Sequence, residues 1–138
     1  MKALMIITIA AAMVAALPMG CARQEGQTPS AARVLTLEAA NFDAQIQSGV
    51  VLVDFWATWC GPCKVQGPIV ERVAGQVAGQ ARVAKLDIDA APKIAERYHV
   101  DSIPTLMVFK DGKAEKRFIG VTKAETLVAA ITAALEGK

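Results

Sequence analysis

Residues 50–64 read Val50-Val51-Leu52-Val53-Asp54-Phe55-Trp56-Ala57-Thr58-Trp59-Cys60-Gly61-Pro62-Cys63-Lys64. The first seven are apolar except for Asp54, which suits a strand at the centre of a sheet covered on both faces. Beyond Cys63, the residues Val65, Ile69, Val73 and Val77 recur at every fourth position, the spacing of a helix face. A strand, a tight turn and a helix therefore follow one another, and Cys60 falls at the helix N-terminus. Unpaired backbone N–H groups and the positive end of the helix dipole favour a thiolate there. The paired cysteines can close a small disulfide or hold two thiols against each other. A thiolate is the nucleophile of thiol–disulfide exchange, so the stretch points to redox chemistry. The bland alternative is a permanent structural disulfide, but so small a loop constrains little of the unfolded chain.

Outward from this stretch, the 138 residues fit one domain preceded by a leader. Lys2 is followed by Ala3 to Leu17, a run whose only polar member is Thr8. That run is shorter than the roughly 20 residues of a membrane span. One basic residue, a short apolar core and small residues around Gly20-Cys21-Ala22 read as an export signal. The segment Leu17-Pro18-Met19-Gly20-Cys21 resembles a bacterial lipoprotein signal, in which the cysteine becomes the lipid-bearing first residue. Pro18 stands where that pattern has a leucine-like residue, so cleavage near Ala22 and an uncleaved anchor are the alternatives. The expected organisation is a signal over residues 1–21, a polar flexible tether over 22–32 and a folded domain over 33–138.

Lys2 is the only charged residue of the first twenty, so the remainder carries 14 basic and 13 acidic residues. So even a balance suggests neither nucleic acid nor a polybasic lipid-binding patch. Three cysteines do not make a disulfide-stapled scaffold. With Cys21 assigned to the signal, Cys60 and Cys63 pair with each other. A zinc site needs more ligands than Cys60, Cys63 and the single His99 supply, so no metal is expected.

The rest of the chain alternates strand and helix. Val34-Leu35-Thr36-Leu37 is a short strand, and 38–47 a helix ended by Ser48-Gly49. Residues 50–56 form the apolar strand, and 62 to about 79 the long helix, with Pro68 expected to kink it. Residues 82–88 are a strand and 92–98 a short helix, with Pro92 suited to its first turn. Residues 105–110 and 113–120 are strands joined at Asp111-Gly112, a strong hairpin signal. The final helix runs over 123–135. Alternation in the first half implies parallel crossovers, and the hairpin adds antiparallel strands.

Five segments then identify a resemblance to the thioredoxin family: VDFWATWCGPCK, Pro68 in the following helix, VAKLDID, SIPTLMVFKDG, and Gly120 before the last helix. It covers about residues 33–137. The resemblance implies an α/β thioredoxin fold, a central mixed sheet of about five strands flanked by about four helices. It implies that Cys60 is the more exposed, nucleophilic cysteine and that Cys63 lies deeper and resolves the mixed disulfide. Asp54 is expected to lie beneath Cys63 and assist its proton transfer, with Lys85 approaching Asp54. The Ile103-Pro104 bond is expected to be cis, bringing the backbone of Ile103 beside Cys60, where substrate pairs as an extra strand. Trp59, Gly120 and Val121 complete an apolar rim, and Gly61 and Pro62 tune the potential. Trp56 is read as packing, and His99 as a helix-end or surface residue without a catalytic role.

These readings converge on an exported thiol–disulfide oxidoreductase that reduces protein disulfides. The cysteine pair carries the electrons, so no bound cofactor is expected. Export implies a membrane electron donor, a periplasmic or extracytoplasmic location, membrane contact only through a lipid on Cys21, and a monomer. The alternatives are a reductase dedicated to one client, such as apocytochrome thiols or a peroxidase, and a non-catalytic binding module using the same rim.

Overall fold

In the computed structural model, which describes residues 32–137, the order is β1 (Val34–Leu37), α1 (Phe42–Ile46), β2 (Val50–Trp56), α2 (Gly61–Gln76), β3 (Arg82–Asp87), α3 (Pro92–Arg97), β4 (Thr105–Lys110), β5 (Lys113–Ile119) and α4 (Ala124–Glu136). The sheet order is β1-β3-β2-β4-β5. β1, β3 and β2 run parallel, while β4 is antiparallel to β2 and β5 antiparallel to β4. This is the expected α/β thioredoxin fold with a mixed sheet.

The apolar run of β2 has a direct structural cause. Successive side chains of a strand point to opposite faces. Val50 and Leu52 join a core under α2 and α4, with Val70, Val73, Val83, Leu127 and Ile131. Val51, Val53 and Phe55 join a second core with Phe42, Leu86, Ile94 and Phe109. Both faces of β2 are therefore covered. Phe42, Phe55, Tyr98 and Phe109 form an aromatic cluster in the second core, with Tyr98 and Phe109 ring centroids 5.2 Å apart.

Alternation also puts Asp54 and Trp56 on the face of β2 shared with Val50 and Leu52, the face that α2 covers. Lys85 falls on that face of β3, two residues after Val83, and is the register partner of Asp54.

The hairpin turn has positive φ at Asp111 (47°) and Gly112 (84°), as a two-residue type I′ turn requires. Asp111 Oδ1 accepts the Gly49 N–H at 2.8 Å, tying this turn to the start of β2. β5 is an edge strand exposed along nearly its whole length. Lys113, Lys116 and Arg117 punctuate it, which discourages pairing with another chain.

Three expectations are corrected. The first helix begins at Phe42 rather than residue 38. Residues 38–41 form a turn in which Asn41 Oδ1 accepts the Glu38 N–H at 2.9 Å. The long helix ends at Gln76 rather than near 79, and a turn with Gly79 at φ +77° follows. Of the helix face read from the sequence, Val73 and Val77 are buried and Ile69 packs against the core, but Val65 is 59% exposed. Residues four apart drift by about 40° per step around a helix of 3.6 residues per turn. The face that reaches the core is Cys63, Gln66, Val70, Val73 and Ala74.

Candidate active site

Cys60 is the N-cap of α2, in an extended conformation (φ −81°, ψ 109°). Its Sγ accepts the Cys63 N–H at 3.2 Å, so the sulfur takes the place of a capping oxygen. Gly61 and Pro62 supply the first turn, where the missing proline N–H has no intrahelical role. Cys60 and Cys63 are joined by a disulfide of 2.17 Å, with Cα atoms 5.3 Å apart. On reduction, the cap N–H groups and the helix dipole face the Cys60 sulfur and favour negative charge on it.

Cys60 was expected to be the more exposed sulfur. It is 3% exposed and Cys63 5%, so exposure does not separate them. In the closed ring each sulfur shields the other, and the loop before β4 backs Cys60. What distinguishes the two is position: Cys60 caps the helix, and Cys63 sits inside its first turn.

The loop before β4 brings the Ile103 carbonyl oxygen to 3.7 Å from Cys60 Sγ. The Ile103-Pro104 bond is cis. Thr105, a buried hydroxyl, donates to the Ser102 carbonyl at 2.6 Å and holds this loop. The Gly120 N–H donates to the Pro104 carbonyl at 2.8 Å, which draws the segment after β5 against the same loop. Gly120 has φ +86°, a conformation open to glycine at little cost. Its neighbour Val121 is 49% exposed. On the other side, Trp59 is 66% exposed and its Nε1–H donates to Asp89 Oδ2 at 2.8 Å. Ile103 thus faces Cys60 directly, Trp59 precedes Cys60 in the chain, and the Gly120–Val121 segment joins the Ile103 loop through Pro104.

Asp54 lies on the α2 side of the sheet and is buried. Burial pushes its carboxyl up to about 7, and the positive charge of Lys85 pulls it partly back. Asp54 Oδ1 and Trp56 Nε1 are buried without a hydrogen-bond partner. The Lys85 ammonium lies 5.3 Å from the centroid of the Trp56 ring, within cation–π range. A carboxyl with its midpoint near neutrality can take up and release a proton under working conditions.

Three residues of the site carried no role in the sequence reading. Asp89 orients Trp59, Thr105 holds the Ile103 loop, and Gln66 is a wholly buried amide on α2 bonded to Thr122. A polar residue at a helix-face spacing is the one signal that marks Gln66, and the apolar periodicity obscured it. His99 is exposed at the end of α3, and its carbonyl accepts from Arg117 at 3.0 Å. Cys21, the signal expected over residues 1–21 and all but the last residue of the tether expected over 22–32 lie outside the described residues. Among the described residues no cluster of His, Cys, Asp and Glu could hold a metal, and no helix is long and apolar enough to cross a membrane.

Comparisons with known proteins agree with this geometry. The thioredoxin family model matches residues 33–133. The thioredoxin of Staphylococcus saprophyticus is 49% identical over 98 residues, 71% of this chain and 94% of that protein. The thioredoxin of Staphylococcus haemolyticus is 50% identical over 94 residues, 68% of this chain and 90% of that protein. A solved structure of a mutant thioredoxin from Halobacterium salinarum superposes with a TM-score of 0.72 at 34% identity, covering 78% of this chain and 96% of that one.

Proposed function

This chain belongs to the thioredoxin family, and on that premise we propose how it works and where. It is a thiol–disulfide oxidoreductase acting on protein disulfides through Cys60 and Cys63. In its reduced state the Cys60 thiolate attacks one sulfur of a client disulfide. That bond breaks, and the client's second sulfur leaves as a thiolate. Cys63 then gives its proton to the Asp54 carboxylate and attacks Cys60 Sγ. The mixed disulfide breaks, the client departs with both sulfurs reduced, and the Cys60–Cys63 disulfide closes. Two electrons pass from the cysteine pair to the client, and no bound cofactor takes part.

The observation that carries this reading is the placement of Cys60 Sγ at the N-cap of α2, facing the Ile103 carbonyl. An extended client segment can pair with the backbone at Ile103 while its disulfide meets Cys60. Trp59, Gly120 and Val121 offer the apolar rim on which it rests.

The protein runs as a reductant. Gly61 and Pro62 add no charge and no side-chain donor beside the sulfurs. The potential belongs near the reducing end of the range, about −270 mV, rather than the oxidising end of about −120 mV. Equilibration of the purified domain with glutathione or a dithiol tests this, and a potential above about −180 mV overturns it.

Export and anchoring rest on Lys2, the apolar run from Ala3 to Leu17 and Cys21. β1 begins at the end of the parallel strands remote from Cys60, because β2 runs toward Cys60 and β1 runs alongside in the same direction. A lipid on Cys21 therefore holds the domain by the pole opposite its redox pair. Residues 22–32 reach at most about 40 Å when fully extended. The protein is a monomer whose cysteine pair is recharged by a membrane electron carrier, since a cytosolic reductase does not reach that compartment. Mass spectrometry of the mature N-terminus tests this; a chain cleaved near Ala22, or any mature chain carrying no lipid on Cys21, overturns the lipid anchor.

A further inference from the structure

We infer that Gln66 is a positioning residue that sets the substrate rim by clamping the Gly120–Lys123 segment to the active-site helix. This deepens the rim reading above and rests on it.

Gln66 lies three residues after Cys63, on the same face of α2, and is 0% exposed. Its Oε1 accepts the Thr122 N–H at 2.7 Å, and its Nε2 donates to the Thr122 carbonyl at 3.2 Å. The side-chain amide thus engages both backbone groups of a single residue, as a neighbouring strand would. An apolar side chain would fill the same space without desolvating an amide. A buried amide is tolerated there only while Thr122 keeps both bonds, so side chain and loop conformation are coupled.

The segment it grips has no regular structure of its own. The Gly120 N–H hangs from the Pro104 carbonyl, and Thr122 Oγ1 donates to the Gly120 carbonyl at 3.0 Å. Val121, between these two fastenings, is half exposed and gains little from burial. Gln66 therefore links the helix bearing the cysteines to the rim, and Gly120 links the rim to the Ile103–Pro104 loop that faces Cys60. With the clamp in place, Val121 is held ready for a protein client before it arrives, which lowers the ordering cost of binding.

The test is steady-state reduction of insulin by the full chain with a dithiol donor, comparing wild type, Gln66→Met and Val121→Asp. Gln66→Met keeps the volume and removes both bonds. The expected result is a KM raised about fivefold, the equivalent of one neutral hydrogen bond, with kcat and reduction potential held. Val121→Asp raises KM as well. A raised KM with Val121→Asp but not with Gln66→Met overturns the clamp and leaves the rim standing; no change with either overturns both. A lowered kcat or a shifted potential in Gln66→Met also overturns the inference, because the effect then reaches the sulfurs themselves. Should Gln66→Met fold poorly, hydrogen exchange on the wild type decides: the Thr122 amide is expected to be protected, and an unprotected one refutes the clamp.

Discussion

Asp54 and Lys85 are register partners on the neighbouring parallel strands β2 and β3, yet the ammonium lies over the Trp56 ring and Asp54 Oδ1 has no hydrogen-bond partner. The lysine thus moderates the carboxyl by charge from a short way off. The buried acid keeps a midpoint near 7, where a carboxyl can take up and release a proton.

The resolving step should depend on pH through Asp54. In the mechanism proposed above, its carboxylate form, populated above about 7, is the one that would accept the Cys63 proton. Release of client from the mixed disulfide should speed up as pH rises through that value. Asp54→Asn should slow release at pH 7.5 by about 10²-fold, the low end for a general acid–base step. Stopped-flow measurement of client release over pH 5.5–8.5 checks this, and an Asp54→Asn profile matching the wild type removes Asp54 from the mechanism.

The same residue should reduce stability at high pH. Its unfolded carboxyl titrates near 3.8 and its folded one near 7, so the folded state binds more protons between those values. Stability from this group is full below about 4, falls as pH rises to about 7 and is flat beyond. Asp54→Asn should therefore be more stable than wild type at pH 8, by on the order of 2–4 kcal/mol. The advantage should vanish near pH 4. Urea unfolding at the two pH values measures it.

Lys85→Met should move the midpoint of the pH–rate profile upward, because the charge that draws Asp54 downward is gone. Activity at pH 7 should fall while activity at pH 9 recovers. A midpoint that moved down would show that Lys85 acts on Asp54 through packing rather than charge.

Cys63→Ser should accumulate a one-to-one mixed disulfide with client proteins through Cys60, and Cys60→Ser should form none. Non-reducing electrophoresis after mixing with a disulfide-bearing client reads this directly. The range of proteins trapped from an extracytoplasmic extract distinguishes a general reductase from a dedicated one.

Phe42→Ala should separate stability from chemistry. Phe42 is fully buried, with ring centroids 5.6 Å from Tyr98 and 5.8 Å from Phe109, in the core on the α1–α3 side. Its loss should cost about 3–5 kcal/mol in urea unfolding. Asp54 and α2 lie across the sheet, so kcat should hold at temperatures where the protein remains folded.

Much of this protein can be read along the chain. The apolar run over β2, the Asp111-Gly112 turn and the paired cysteines before a helical pattern are local signals, each written within a few consecutive residues. They are sufficient for the element order, the mixed sheet and Cys60 at a helix start. Boundaries were less legible where a side chain competes with the backbone, as Asn41 does in the turn before α1.

What only the tertiary structure decided is the set of contacts between residues distant in sequence. Gln66 meets Thr122, Trp59 meets Asp89, and the Ile103 carbonyl meets Cys60 Sγ, with 56, 30 and 43 positions between the partners' numbers. Which helix face turns inward, and therefore that Gln66 rather than Val65 is buried, follows from how α2 lies on the sheet. Local propensity and periodicity act over a turn or two of chain and can specify a strand or a capped helix. The pKa of Asp54 and the shape of the rim depend on desolvation and hydrogen bonds that exist only once the layers have closed.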